Sequence, residues 1–101
     1  GKLVCPPFCY TLLNLDYVCT ARKPGAVNES GTLLEGIQRW SETKSDLTVD
    51  EIKQRAKIGI KKEMLHGVQL IRSHADVTDP NLTSLKALLE LKEELKDTVT
   101  L

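Results

Sequence analysis

The sequence has few aromatic residues, no excess charge of either sign and no long apolar run. Aromatic residues make up 4% of its 101 residues, so a core must consist mainly of Leu, Ile, Val and Ala. The 14 basic and 14 acidic residues cancel, and no basic stripe is present, so a nucleic-acid partner is not expected. No apolar run reaches the roughly 18 residues of a membrane span, so no membrane association is expected. Apolar residues nevertheless form 41% of the chain, which predicts one folded domain over residues 1–101.

The chain also lacks the cysteine pattern of a secreted or zinc-binding protein. Its cysteines, Cys5, Cys9 and Cys19, are odd in number and follow no recognisable signal peptide. Their C-x3-C-x9-C spacing matches no common zinc pattern and has no histidine beside it. We therefore expect free thiols and a cytoplasmic location.

Strand signals occur at three places along the chain. We predict a first strand over 8–15, starting after two prolines that cannot donate to a ladder. A loop over 16–30 follows. A second strand is predicted over 68–77, where apolar and polar residues alternate, and the final "TVTL" predicts a short third strand.

Helix start signals lie between and after these strands. Three pairs of residues mark the starts: Thr32 with Glu35, Thr48 with Glu51, and Asp79 with Pro80. Gly67 is the expected end of the second helix. Strands that alternate with helices predict an α/β fold with a parallel sheet.

Several long motifs resemble one enzyme family. "LDYVCTARKP", "SGTLLEGIQRWSETKSDLT", "IKQRA" and "HGVQLIRSHADVTDPNLTSLKALLELKEEL" are similar to the first part of the barrel of bacterial cytosine deaminases, in the amidohydrolase superfamily. The resemblance implies part of a (β/α)8 barrel, which the family combines with a small β-sandwich. It also implies one iron or zinc ion and hydrolytic deamination at a pyrimidine ring.

The motif at the end of the first strand departs from that family. The family carries Glu-Pro-His-x-His-Leu-Asp there, and the two histidines bind the metal. The matching residues here are Tyr10, Thr11, Leu12, Leu13, Asn14, Leu15 and Asp16. Leu12 and Asn14 thus occupy the two histidine positions, and neither is a ligand that iron or zinc prefers. By this resemblance we expect no metal, no other cofactor and no catalytic residue in this chain.

Four residues remain candidates for a site of another kind. Asp16, His74 and Asp76 would lie near strand ends, where a carboxylate beside an imidazole could form a catalytic or ligand-binding pair. They could equally be inherited polar residues of a barrel interior, which is the interpretation we favour. Trp40 could anchor an interface or fill the domain's own core, and we favour the core.

Three functional hypotheses follow. The leading one is a non-catalytic, cytosine-deaminase-like amidohydrolase fragment, structural or engineered, whose short parallel sheet is rearranged or completed by self-association through a dimer or domain swap. The alternative is part of a metal-dependent hydrolase that deaminates cytosine or a related pyrimidine once the other barrel strands are supplied. The third is an interaction module that uses Trp40 and the open sheet edge.

Overall fold

The order of elements agrees with the expected alternation of strands and helices. The computed structural model describes all residues from 1 to 101. Its elements are β1 (Phe8–Leu13), a 3-10 helix (Thr20–Arg22), α1 (Leu33–Lys44), α2 (Val49–Leu65), β2 (Val68–Ser73) and α3 (Thr83–Glu94). None of the three α-helices has the length and apolar character needed to cross a membrane.

The helix signals in the sequence are confirmed at α1 and α2. The amide of Glu35 donates to Thr32 Oγ1 at 3.3 Å, and the amide of Glu51 donates to Thr48 Oγ1 at 3.2 Å. Each hydroxyl therefore satisfies one free amide of the first helical turn. Gly67 follows α2 with φ of +88°, the left-handed conformation that glycine adopts most readily.

The predicted start of α3 is wrong by three residues. Pro80 belongs to a turn, and the helix begins at Thr83 after Leu82, whose φ is +52°. Asp79 still caps the helix from outside it, because Asp79 Oδ2 accepts a hydrogen bond from the Thr83 amide at 3.1 Å. Its other oxygen accepts from the Asn81 amide at 3.0 Å, which holds the turn.

Both strands end earlier than predicted. β1 stops at Leu13 because the next residues turn, and the Leu15 amide donates to Ser73 Oγ at 3.1 Å instead of to a ladder. β2 stops at Ser73, and the Asp76 amide donates to a side chain of the other strand's end. Side-chain acceptors thus replace sheet pairing at these two ends.

The sheet has β2 in its centre. β1 and β2 are parallel, with a register from Phe8 opposite Val68 to Leu13 opposite Ser73 and two irregularities between them. On its other side β2 forms a single parallel bridge from Leu70 to Thr100. The final segment therefore contributes one bridging residue, whereas a strand was predicted.

Helices α2 and α3 pack against each other, and residues of both share the main core with the sheet. That core consists of eight buried residues: Leu15, Ala56, Ile60, Val68, Ile71, Leu88, Leu91 and Val99. A smaller cluster contains Leu47, Ile52 and Ala87, with Trp40 packed against it. The apolar stripe expected on α2 is confirmed at Ile52, Ala56 and Ile60. By contrast α1 has no buried residue, and Leu33 and Leu34 are each more than three-quarters exposed.

Candidate functional site

A cavity of about 410 Å³ lies between α1 and the carboxyl ends of β1 and β2. Its lining includes Asn14, Asp16, His74 and Asp76 from the strand ends and Leu33, Ile37 and Trp40 from α1. The four residues singled out from the sequence, Asp16, Trp40, His74 and Asp76, therefore meet in one place. Leu12 does not line this cavity, and its side chain is exposed.

The carboxylate of Asp16 joins the ends of the two strands. Asp16 is 3% exposed, and its Oδ2 accepts a hydrogen bond from the Asp76 amide at 2.8 Å. Parallel strands end at the same edge of a sheet, so two residues 60 positions apart come into contact. In the structure this carboxylate holds the backbone after β2.

The carboxylate of Asp76 is the most heavily hydrogen-bonded group of the site. Oδ2 accepts from Trp40 Nε1 at 2.5 Å and from Lys44 Nζ at 3.3 Å. Oδ1 accepts from the amide and hydroxyl of Thr78 at 2.7 and 2.6 Å. Burial raises the pKa of Asp76, but the hydrogen bonds from Thr78, Trp40 and Lys44 outweigh it and bring the pKa from 3.8 to about 2.

Trp40 connects α1 to the rest of the chain. Besides donating to Asp76, its ring meets Tyr17 edge-on, with centroids 4.9 Å apart and planes at 88°. Because α1 buries no residue, this half-buried tryptophan is its main attachment to the sheet end. Trp40 thus packs within its own chain, as the favoured interpretation expected.

The predicted pairing of His74 with Asp76 is wrong. The Asp76 carboxylate is bonded to Trp40, Lys44 and Thr78, while the imidazole of His74 takes part in no hydrogen bond within the chain. His74 is exposed, and its backbone amide donates to the Leu13 carbonyl at 2.8 Å. Asn14 and His74 are therefore the cavity's polar side chains that face solvent, and either could hydrogen-bond a small ligand.

Sequence reasoning missed Arg55, which supports the loop after β1. Its Nη1 donates to the carbonyls of Asp16 and Val18 at 3.0 and 2.7 Å. The residue is 8% exposed, and burial lowers its pKa against the opposing influence of Glu51, Cys19 and Asp16. A signal was present: Arg55 lies three residues after Ile52, which places it on the buried face of α2.

The residues at the strand ends do not fit an iron or zinc ion. A leucine and a neutral asparagine stand where paired histidines would, and Leu12 has no donor atom. The carboxylates of Asp16 and Asp76 accept hydrogen bonds from within the chain. No group of three or more His, Cys, Asp or Glu side chains lies close enough together to hold a metal.

With this geometry established, comparison with known structures identifies the fold as a mixed α/β arrangement that matches part of a deaminase barrel. Two crystal structures of 5-methylcytosine deaminase from Klebsiella pneumoniae, one liganded with phosphonocytosine and one with 5-fluorocytosine, share 46% sequence identity with 93% of this chain. The TM-score is 0.88 for both. The similarity to deaminases of the amidohydrolase superfamily, indicated by the sequence motifs, is confirmed.

The similarity covers a small part of those enzymes. This chain spans 23% of the length of the first structure's chain and 22% of the second's. No protein-family model matches the chain, and no curated protein matches it.

Proposed function

We propose that this chain is a non-catalytic, cytosine-deaminase-like amidohydrolase fragment with a structural role and no activity of its own. The observation that carries the proposal is the pair Leu12 and Asn14 at the end of β1. A natural remnant and an engineered or excised segment would both have these features.

The chemistry of the donor atoms supports the proposal. A metal-dependent hydrolase needs nitrogen, sulfur or carboxylate ligands in a defined geometry to lower the pKa of a bound water. The exposed hydrocarbon of Leu12 supplies no such ligand, and the amide of Asn14 supplies a weak neutral oxygen.

The surrounding hydrogen bonds support it further. Asp16 and Asp76 are the acidic side chains at the cavity, and both hold structural contacts: Asp16 with a backbone amide, Asp76 with Trp40 and Lys44. A general base must reach the proton that it removes. Here the carboxylates would first have to release the loop and α1.

The test is the metal content of the chain after purification from medium supplemented with iron and zinc. We expect less than about a tenth of an equivalent per chain, because a metal held by so few suitable ligands dissociates during purification. A variant with Cys5, Cys9 and Cys19 replaced by Ser separates binding by thiols from binding at the strand ends. About one equivalent of metal retained by that variant would contradict the proposal.

A matched variant checks that the measurement can detect a site at this position. Leu12→His combined with Asn14→His places two imidazoles two residues apart at the end of β1. We expect this variant to bind zinc more tightly than the parent chain in a competition titration. Equal zinc affinity in the two proteins would show that Leu12 and Asn14 are not what prevents binding.

The alternative function is favoured by the preserved fold and by the cavity at the strand ends. In it, the chain is part of a hydrolase that deaminates cytosine or a related pyrimidine once the missing barrel strands are supplied. Release of ammonia from cytosine only after mixing with a segment that carries the remaining barrel would support it. The three thiols are free, which supports a cytoplasmic location in either case.

A further inference from the structure

The outer edge of β1 is an unprotected strand edge. β1 pairs with β2 on one side, and no strand pairs with it on the other. A parallel pair leaves alternate amide and carbonyl groups of the edge strand free to bond another strand. The opposite edge of the sheet is only the single bridging residue Thr100, so β1 is the one extended edge.

The composition of β1 does nothing to block pairing. Natural edge strands are commonly protected by lysine, other charges or proline. The six residues of β1, "FCYTLL", contain none of these. Three large side chains of this strand are exposed: Phe8 by 64%, Tyr10 by 40% and Leu12 by 66%.

The exposed area of the chain is large for its mass. A folded monomer of 11.3 kDa is expected to expose about 5,700 Å², whereas this chain exposes 7090 Å². The excess of about 1,400 Å² exceeds the roughly 800 Å² that one partner buries in a standard interface. The extended residues 1–7 contribute to this excess, together with the open edge and the apolar face of α1.

We propose that β1 pairs antiparallel with β1 of a second copy of this chain, about a twofold axis at Tyr10. The antiparallel arrangement places Tyr10 opposite the second copy's Tyr10 and Phe8 opposite its Leu12. Such aromatic and aromatic–aliphatic pairs are the contacts that stabilise neighbouring strands. The chain has equal numbers of basic and acidic residues, so two copies do not repel each other through net charge.

The second copy is a better match than an unrelated strand for two reasons. A twofold axis satisfies both open edges at once and leaves none for further growth, as closed symmetry requires. The uncharged residues of β1 are complementary to themselves in this register, whereas a partner strand with charges would place them against apolar side chains. This inference is independent of the proposed function.

The test is the mass of the wild-type chain by light scattering during size-exclusion chromatography, with Tyr10→Lys and Leu89→Lys as a matched pair of variants. The wild-type chain is expected to be a dimer. Tyr10→Lys sets two like charges opposite each other and should raise the dimer dissociation constant about tenfold or more. Leu89, 56% exposed on α3 and away from the edge, should tolerate lysine with no change in mass.

Cross-linking tests the register separately. With the three natural cysteines replaced by Ser, Tyr10→Cys should form a disulfide-linked dimer under mild oxidation, because directly opposite residues have Cβ atoms about 5 Å apart. Leu89→Cys in the same background should stay unlinked. A wild-type monomer, a dimer unaffected by Tyr10→Lys, or equal cross-linking at both positions would overturn the proposal. Circular dichroism of every variant checks that each is folded.

Discussion

Asp76→Asn removes the charge that joins α1 to the end of β2. The pKa of Asp76 is lowered from 3.8 to about 2, which corresponds to about 2 kcal/mol of folding free energy. The side chain is 16% exposed, so solvent screens this interaction only in part. At pH 6 we therefore expect the variant to be less stable than the wild-type chain by about 2 kcal/mol.

The sign of the pH dependence follows from the direction of the shift. A pKa lowered by folding stabilises the protein above the unfolded-state value of 3.8 and loses that effect as pH falls through about 2. By pH 3 the wild-type chain should have lost about 1 kcal/mol of this contribution. Asp76→Asn has no charge to titrate, so the stability difference between the two proteins should narrow by that amount.

Urea denaturation followed by circular dichroism at pH 6 and pH 3 measures both quantities. Subtracting the variant from the wild type cancels other carboxylates whose pKa is lowered by hydrogen bonds, namely Glu35, Asp79 and Glu94. Asp97→Asn, an exposed site, is the control and should leave stability unchanged. Equal stability of wild type and Asp76→Asn at pH 6, with the same dependence on pH, would refute the role assigned to Asp76.

Two further predictions concern the core and the turn before β2. Leu91→Ala should destabilise the chain by about 2–5 kcal/mol because it leaves a cavity at a fully buried position, whereas Leu89→Ala on the exposed side of α3 should cost less than about 0.5 kcal/mol. Similar losses for the two variants in urea denaturation would show that α3 does not pack as described. Gly67→Ala should cost about 1–2 kcal/mol because the residue has φ of +88° and the added methyl meets the Phe8 ring at 3.4 Å. Gly36→Ala, inside α1, should be neutral or stabilising by thermal denaturation, and a Gly67→Ala variant as stable as Gly36→Ala would contradict the strain argument.

The comparison between prediction and structure separates short-range from long-range effects at the helix ends. The caps of α1 and α2 were predicted correctly because Thr32 and Thr48 bind amides three residues away. The start of α3 was predicted incorrectly because Asp79 reaches across a turn to the Thr83 amide, while Leu82 adopts a left-handed conformation that its residue type does not favour.

The candidate site shows the same division. The residue types at the end of β1, including Leu12 and Asn14, could be read from the sequence, and so could the departure from a metal-binding motif. The sequence did not show that the Asp76 carboxylate binds Trp40, 36 residues away, in preference to His74, two residues away. Nor did it reveal that Arg55 is buried beneath the loop after β1.

The sequence by itself thus determined the order of strands and helices, the caps of α1 and α2, the apolar face of α2 and the resemblance to a deaminase barrel. These follow from interactions between residues a few positions apart or from residue identity alone. Only the tertiary structure decided where the strands end, which carboxylate holds α1 and how much of α1 and β1 is left uncovered. Those features depend on the parallel pairing of β1 with β2, which brings together side chains separated by tens of residues.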